Sequence, residues 1–339
     1  MKKVQIFFNA EHHRYTDDEG NVYTSATQLI GKYTPTFPKE FWAFYRAADQ
    51  EFGMFGKPRP DIPLRIFFKT SKTDEGRYYT IEELKTGIVT FKKSPGLVNK
   101  EWDENAAQAC ERGNREHDYL ENSVNQIYDK KTVNHSLAIH ELPSFKLALK
   151  DVEALDKSAL ADTHPAVLKV LKKLIEKGYT LFAEKRVYSY KHKVSGMIDI
   201  IAVNENKEFV IVDWKTNKDP LKFESGYYEK VWNAGRTDKV KTDKWVKKDD
   251  RMHVPIQDLQ KCKGSIYTLQ LSLYARICEL WGLKCKSLIL CHLRIEMKGT
   301  EEYHHEPKFY NIKYIPAHID RLLALQSISK RPRRKPLNY

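Results

Sequence analysis

With 339 residues the chain has room for one large domain with additions or for two domains, and its 12% aromatic content excludes a disordered polymer. A formal net charge of +13 favours a polyanionic partner, nucleic acid before membrane, although a basic protein without such a partner would carry the same charge. No run of about 18 apolar residues offers a membrane span. The start "MKKVQIFFNAEHH" lacks the apolar core and cleavage site of a signal peptide, so a cytoplasmic protein is expected.

In chain order, residues 1–95 read as an N-terminal accessory region. "HRYTDDEGNVYTS" predicts a hairpin turning at Glu19-Gly20, and "SATQLIGKY" a short helix capped by Ser25. A stretch rich in Phe, Trp, Tyr and Pro follows. Residues 96–328 read as the main α/β body. Its first long helix is "EWDENAAQACERGNREHDYLENSVNQIYD", in which Gly113, His117, Leu120, Glu121, Val124 and Tyr128 share a face. Gly113 in mid-helix costs about 1 kcal/mol against Ala, which suggests close backbone approach.

A second amphipathic helix, "HPAVLKVLKKLIEKG", ends at Gly178, and the strand "YTLFAEKRVYSY" carries Glu184. Next come two strands joined by the polar turn "NENKE", with Asp199 in the first and Asp213 and Lys215 in the second. Residues 216–268 form a long insertion with many lysines and little periodicity. The helix "YTLQLSLYARICELWGL" then places Gln270 and Tyr274 one turn apart, with Leu269, Leu273, Ile277 and Leu280 as its buried stripe. A strand "KSLILCHLRI" and a helix "PAHIDRLLALQ" complete the body. The basic tail 329–339 includes Lys330, Arg331, Arg333 and Arg334, and reads either as a DNA clamp or as a solubilising tail.

The paired strands raise the chemical question. Phe209, Ile211, Asp213 and Lys215 lie on one side of an extended chain and Val210, Val212 and Trp214 on the other. Both sides are apolar up to residue 212, as in a strand covered on both faces. The hairpin brings Asp199 toward Asp213. Two partly buried carboxylates repel and lose hydration, and they persist where a cation sits between them. Oxygen ligands of this kind suit Mg²⁺ or Mn²⁺. A salt-bridged hairpin in which Lys215 neutralises Asp213 fits the local residues as well.

In order along the chain, these segments resemble the PD-(D/E)XK nuclease superfamily, in the branch similar to the RecB nuclease domain and phage exonucleases. "AAQACERGNREHDYLE" is similar to the family's first helix motif, with a glycine four residues before a histidine and a glutamate after it. "SGMIDIIA" resembles its Gly-x-x-Asp motif, "VDWKT" its Asp-x-Lys-Thr motif and "LQLSLYA" its Gln-x-x-x-Tyr motif. The resemblance covers roughly residues 100–295, with four motifs in the family's order.

The resemblance implies a restriction-endonuclease-like core, a central mixed sheet flanked by helices. It implies metal ligation by His117, Asp199 and Asp213, with the Trp214 carbonyl as a further ligand, one or two Mg²⁺ or Mn²⁺ ions, and Lys215 as the catalytic lysine. Gln270 and Tyr274 would orient the site or touch the DNA backbone. Glu184 would add an acidic group, or would pair with a nearby Lys or Arg. The expected activity is DNA exonuclease, acting on ends or single strands beside recombination or replication proteins, in a bacterial host's cytoplasm if phage-encoded. A structure-selective or restriction-like endonuclease, or a catalytically silent DNA-binding accessory protein, would use the same core. Some such nucleases carry an iron–sulfur cluster. The five cysteines, Cys110, Cys262, Cys278, Cys285 and Cys291, lack its tight spacing and no cluster is expected.

Overall fold

The computed structural model describes residues 2–9, 11–12, 14–52, 57–59, 64–128, 152–234, 239–298 and 301–329. The strands are β1 (Ile6–Asn9), β2 (Arg14–Asp17), β3 (Val22–Ser25), β4 (Lys57–Arg59), β5 (Arg65–Phe68), β6 (Arg77–Thr80), β7 (Thr180–Ser189), β8 (Val194–Val203), β9 (Glu208–Lys215), β10 (Gly226–Trp232), β11 (Lys239–Lys247), β12 (Lys284–His292), β13 (Ile295–Lys298), β14 (Glu301–His304) and β15 (Lys308–Asn311). The helices are α1 (Ala26–Gly31), α2 (Lys39–Phe52), α3 (Ile81–Lys85), α4 (Pro95–Gln126), α5 (Ala159–Thr163), α6 (Pro165–Glu176), α7 (Lys263–Leu280) and α8 (Pro316–Ser329).

The chain divides into two compact units, one of residues 1–35, 112–225 and 248–339, the other of residues 36–111 and 226–247. The first is built on an eight-stranded mixed sheet in the order β1-β2-β3-β8-β9-β12-β15, with β7 also paired to β8. β3 runs parallel to β8 and β9 parallel to β12, while β7 and β9 each run antiparallel to β8. The mixed α/β architecture expected from the sequence is therefore present.

Alternation along β9 explains why helices cover both faces. Phe209 and Ile211 join one core with α1, α7 and α8, and Val210, Val212 and Trp214 join another with α4, α5 and α6. Local signals hold at the ends. Ser25 and Gln28 form a capping box on α1. Gly178, at φ +79°, closes α6 in a left-handed turn whose next amide, Tyr179 N–H, donates to the Leu174 carbonyl at 3.0 Å.

The second unit packs α2 and α3 on the antiparallel sheet β4–β6, around Phe41, Ile66, Phe68, Tyr79 and Leu84. Its other part is the hairpin β10–β11, whose Lys239 ammonium lies 2.6 Å from the buried Asp49 carboxylate of α2.

Two boundaries differ from the sequence expectation. Residues 1–35 do not stay with 36–95, because β3 adds to β8 through Thr24↔Val194 and puts the N-terminal strands into the large sheet. The 216–268 insertion divides in the same way. Its middle is a strand pair of alternating Lys, Tyr and Trp, a composition with no apolar period, and residues 248–268 return to the first unit with Met252 and Ile256 in its core. Lys330, Arg331, Arg333 and Arg334 lie outside the described residues. Among the described residues no helix is long and apolar enough to cross a membrane.

Candidate active site

The hairpin β8–β9 ends its ladder at Ile200↔Val212, one step short of Asp199 and Asp213. The Trp214 amide is thereby left to a side chain, and it donates to Asp199 Oδ2 at 2.8 Å. Asp213 is 1% exposed, and among the described residues neither of its carboxylate oxygens makes an aligned hydrogen bond. The Lys215 ammonium lies 2.7 Å from Asp213 Oδ2, an ion-pair contact without hydrogen-bond alignment.

Glu184 and His117 complete the group. His117 Nδ1, from α4, lies 3.7 Å from both Glu184 Oε1 and Asp199 Oδ1. Glu184 sits at φ +49° in the middle of β7, a conformation that non-glycine residues rarely hold. The β7–β8 ladder pairs Ala183↔Ile200 and Lys185↔Ile198 and skips Glu184 and Asp199 between them. Side-chain alternation also breaks there. Ile198 and Ile201 share one core although three residues apart, and so do Phe182 and Val187 although five apart. A regular strand would send the members of each pair to opposite faces. The irregularity frees both carboxylates from the pleat at one place.

Two glycines allow the helices to close on these strands. A Cβ on Gly196 would lie 2.4 Å from Tyr274 Cε1 of α7, and one on Gly113 would lie 3.2 Å from Thr216 Oγ1. Tyr274 is buried and its hydroxyl accepts from Gln270 Nε2 at 2.9 Å.

Residues 91–232 match a family model described as the PD-(D/E)XK nuclease superfamily. The match spans under half of the chain and marks a similarity to that superfamily. It holds Gly113, His117, Glu184, Gly196, Asp199, Asp213 and Lys215 and stops before Gln270 and Tyr274. No curated protein matches the chain. A solved structure from Eubacterium rectale, described as a "Putative exonuclease", is 14% identical over 68% of this chain and 77% of its own, with a TM-score of 0.27, a likeness too slight to carry an argument.

Electrostatics distinguish this site from a settled salt bridge. Burial pushes the Asp213 carboxyl up to about 6, with Lys215 pulling it down and Asp199 pushing it further up. Burial likewise raises Asp199, against the cations His117 and Lys215. The His117 imidazole is drawn down by burial, yet the carboxylates of Asp199 and Glu184 lift it to about 9. Lys215 is raised despite burial because Asp213 and Asp199 flank it. Three carboxylates thus face one ammonium and one imidazole, and the most buried carboxylate lacks a hydrogen bond. His117, Glu184 and Asp199 offer ligand atoms within 4.8 Å of one another. Carboxylate oxygens with one imidazole suit a hard divalent cation, and the orphaned Asp213 oxygens fit the same need.

Sequence reasoning did not select several neighbours. Lys215 Nζ lies 5.2 Å from the Tyr267 ring centroid, and the Tyr267 hydroxyl donates to Asn217 Oδ1 at 2.7 Å. His292 Nε2 lies 2.8 Å from the Asn217 carbonyl oxygen, on a strand whose register sets His292 beside Lys215. Tyr267 lies one turn before Gln270 on α7, so helical spacing was a usable signal. Nothing local marked His292, which arrives through the parallel pairing of β9 with β12.

Two outcomes follow. Gly196→Ala forces a methyl into the ring of a buried tyrosine, an overpacking worth about 1–3 kcal/mol, and should lower the thermal midpoint by several degrees. Gly113→Ala gains helix propensity and needs only a hydroxyl to turn, so its midpoint should stay within a degree or two. Calorimetry on both variants checks the contrast. In chelator, Asp213→Asn should be more stable relative to the parent at pH 8 than at pH 5. A carboxyl raised on folding stabilises below its unfolded pKa, and that stability is lost as pH rises through about 6, a loss the amide does not suffer. Thermal melts at the two pH values measure the difference.

Proposed function

We propose that the protein is a divalent-metal-dependent deoxyribonuclease that degrades linear DNA from its ends. The observation that carries the reading is the convergence of His117, Glu184, Asp199, Asp213 and Lys215 from α4, β7, β8 and β9, with Asp213 buried and without a hydrogen bond. A nuclease superfamily implies a nucleic-acid substrate, and the +13 charge agrees with one.

In this reading His117, Glu184, Asp199, Asp213 and the Trp214 carbonyl hold Mg²⁺ or Mn²⁺. When bound, such an ion polarises a phosphodiester and lowers the pKa of water. The chain's own groups do the rest. Trp214 N–H fixes Asp199 in orientation. Lys215, held protonated by its acidic neighbours, cannot serve as a general base at neutral pH, so it stabilises the charge growing on the attacking or leaving oxygen. Tyr274 is buried and bonded to Gln270, which suits the pair to positioning the strands more than to gripping phosphates.

Support for end-dependence comes from the additions to the core. The second unit joins an aromatic-rich segment to a hairpin bearing Tyr227, Tyr228 and Trp245 among lysines, a composition suited to stacking bases and tracking phosphates. The sequence shows no helix-turn-helix for reading a fixed site. Partners in replication or recombination fit such an activity.

End-labelled linear DNA and covalently closed circles, incubated with Mg²⁺, test the proposal. Linear DNA should be degraded from its ends and the circles largely spared, with activity falling steeply between low and physiological salt. Lys215→Ala should remove at least 100-fold of the activity while the protein stays folded. Linearisation of closed circles at comparable rates would replace the exonuclease with an endonuclease, and full activity in excess chelator would refute the metal requirement.

A further inference from the structure

A second cluster of ligand-type side chains lies beside the first and is not used by it. Glu116, one residue before His117 on α4, is fully buried. His164, immediately before α6, is 1% exposed, and His304 ends β14 half-buried. His164 Nε2 lies 2.7 Å from Glu116 Oε2, the two imidazole rings are 5.3 Å apart, and ligand atoms of all three residues fall within 4.8 Å of one another.

Hydrogen bonding accounts for only part of this arrangement. Glu116 Oε1 accepts from Arg115 at 3.3 Å, and Arg115 also reaches Glu302 Oε2 at 2.5 Å. Those contacts satisfy the carboxylates. They leave Nδ1 of His164 and Nδ1 of His304 both buried and without a partner among the described residues. His304 donates nothing to Glu116, yet its ring stands against His164. Glu116 and Glu302 together outweigh Arg115 by one negative charge, so a dication is not opposed by the local field. Two imidazoles and one carboxylate with ligand atoms this close are a donor set that a borderline metal ion takes.

We propose that Glu116, His164 and His304 form a second metal site, selective for Zn²⁺-class ions over Mg²⁺. The donor set separates it from the neighbouring pocket, which has three carboxylates and one imidazole and suits the harder ion. The two are linked through the chain. Glu116 adjoins His117, and His164 packs edge-on against Trp214 at 5.5 Å, between Asp213 and Lys215 in sequence. An ion here would tie α4, the start of α6 and β14 together and steady Trp214. The inference stands whether or not the chain cleaves DNA.

The test uses the full-length His117→Ala variant, which weakens the neighbouring pocket, dialysed against micromolar Zn²⁺ with millimolar Mg²⁺. Metal content should read one tightly held zinc per chain, and the same variant loaded with Co²⁺ should show a visible absorption band. Adding His304→Ala should remove the zinc, the band and the rise in thermal midpoint that Zn²⁺ gives. If that double variant fails to fold by circular dichroism, Glu116→Gln on the same background keeps the shape and should show the same loss. No zinc on His117→Ala, or equal zinc with and without His304 or Glu116, overturns the proposal.

Discussion

Two carboxylates, Asp199 and Asp213, are buried at the open end of the central strands, and with Glu184 they outnumber the one ammonium and one imidazole beside them. Everything else near the site is arranged around that constraint. Leaving a buried charge poorly paired costs about several kcal/mol, and here the cost falls on Asp213, which has an ammonium close by but no hydrogen bond. Burial raises both acids, and the raised pKa of Lys215 and of His117 shows that their protons answer the same field. A fold selected for stability alone would have placed apolar residues here. On one face of β9 the apolar series stops at Ile211 and gives way to Asp213, while on the other it runs on to Trp214.

The surrounding architecture keeps the strained group in place. β9 is flanked by β8 and β12 and covered by helices on both faces, so the rigidity comes from two hydrophobic cores. Glu184 holds a left-handed backbone only because the β7–β8 ladder resumes on both sides of it. Gly196 lets Tyr274 of α7 pack against β8, and Gly113 lets α4 approach Thr216 at the end of β9. The same strand end presents different chemistry to its two sides, hard oxygens around Asp213 and Lys215, and imidazoles around Glu116 beyond Trp214.

Much of this was legible before any coordinates, for reasons that can be named. Asp213 and Lys215 stood out because charges interrupt an apolar strand whose period is two, and Asp199 because a short polar turn fixes which residues meet across a hairpin. His117 was legible through the resemblance of its helix, with Gly113 four residues before and Glu121 four after, to the family's first motif. Glu116 was not, since a glutamate on a charged helix gives no sign that it will be buried. His164 and His304 are 140 residues apart in sequence, and only the packing of β14 near α6 brings their rings together. The regrouping of 36–111 with 226–247 was hidden for the same reason. Composition located both segments, but long-range pairing decided which unit each one joined.

The central claim is that the Asp199–Asp213 pocket is a cation site and not a resting salt bridge. Crystals of the full-length protein soaked in Mn²⁺ test it directly through anomalous scattering. A strong peak is expected within coordination distance of Asp199 and Asp213, with Glu184 or His117 as a further ligand. An empty pocket at millimolar Mn²⁺, with Lys215 still paired to Asp213, would contradict it.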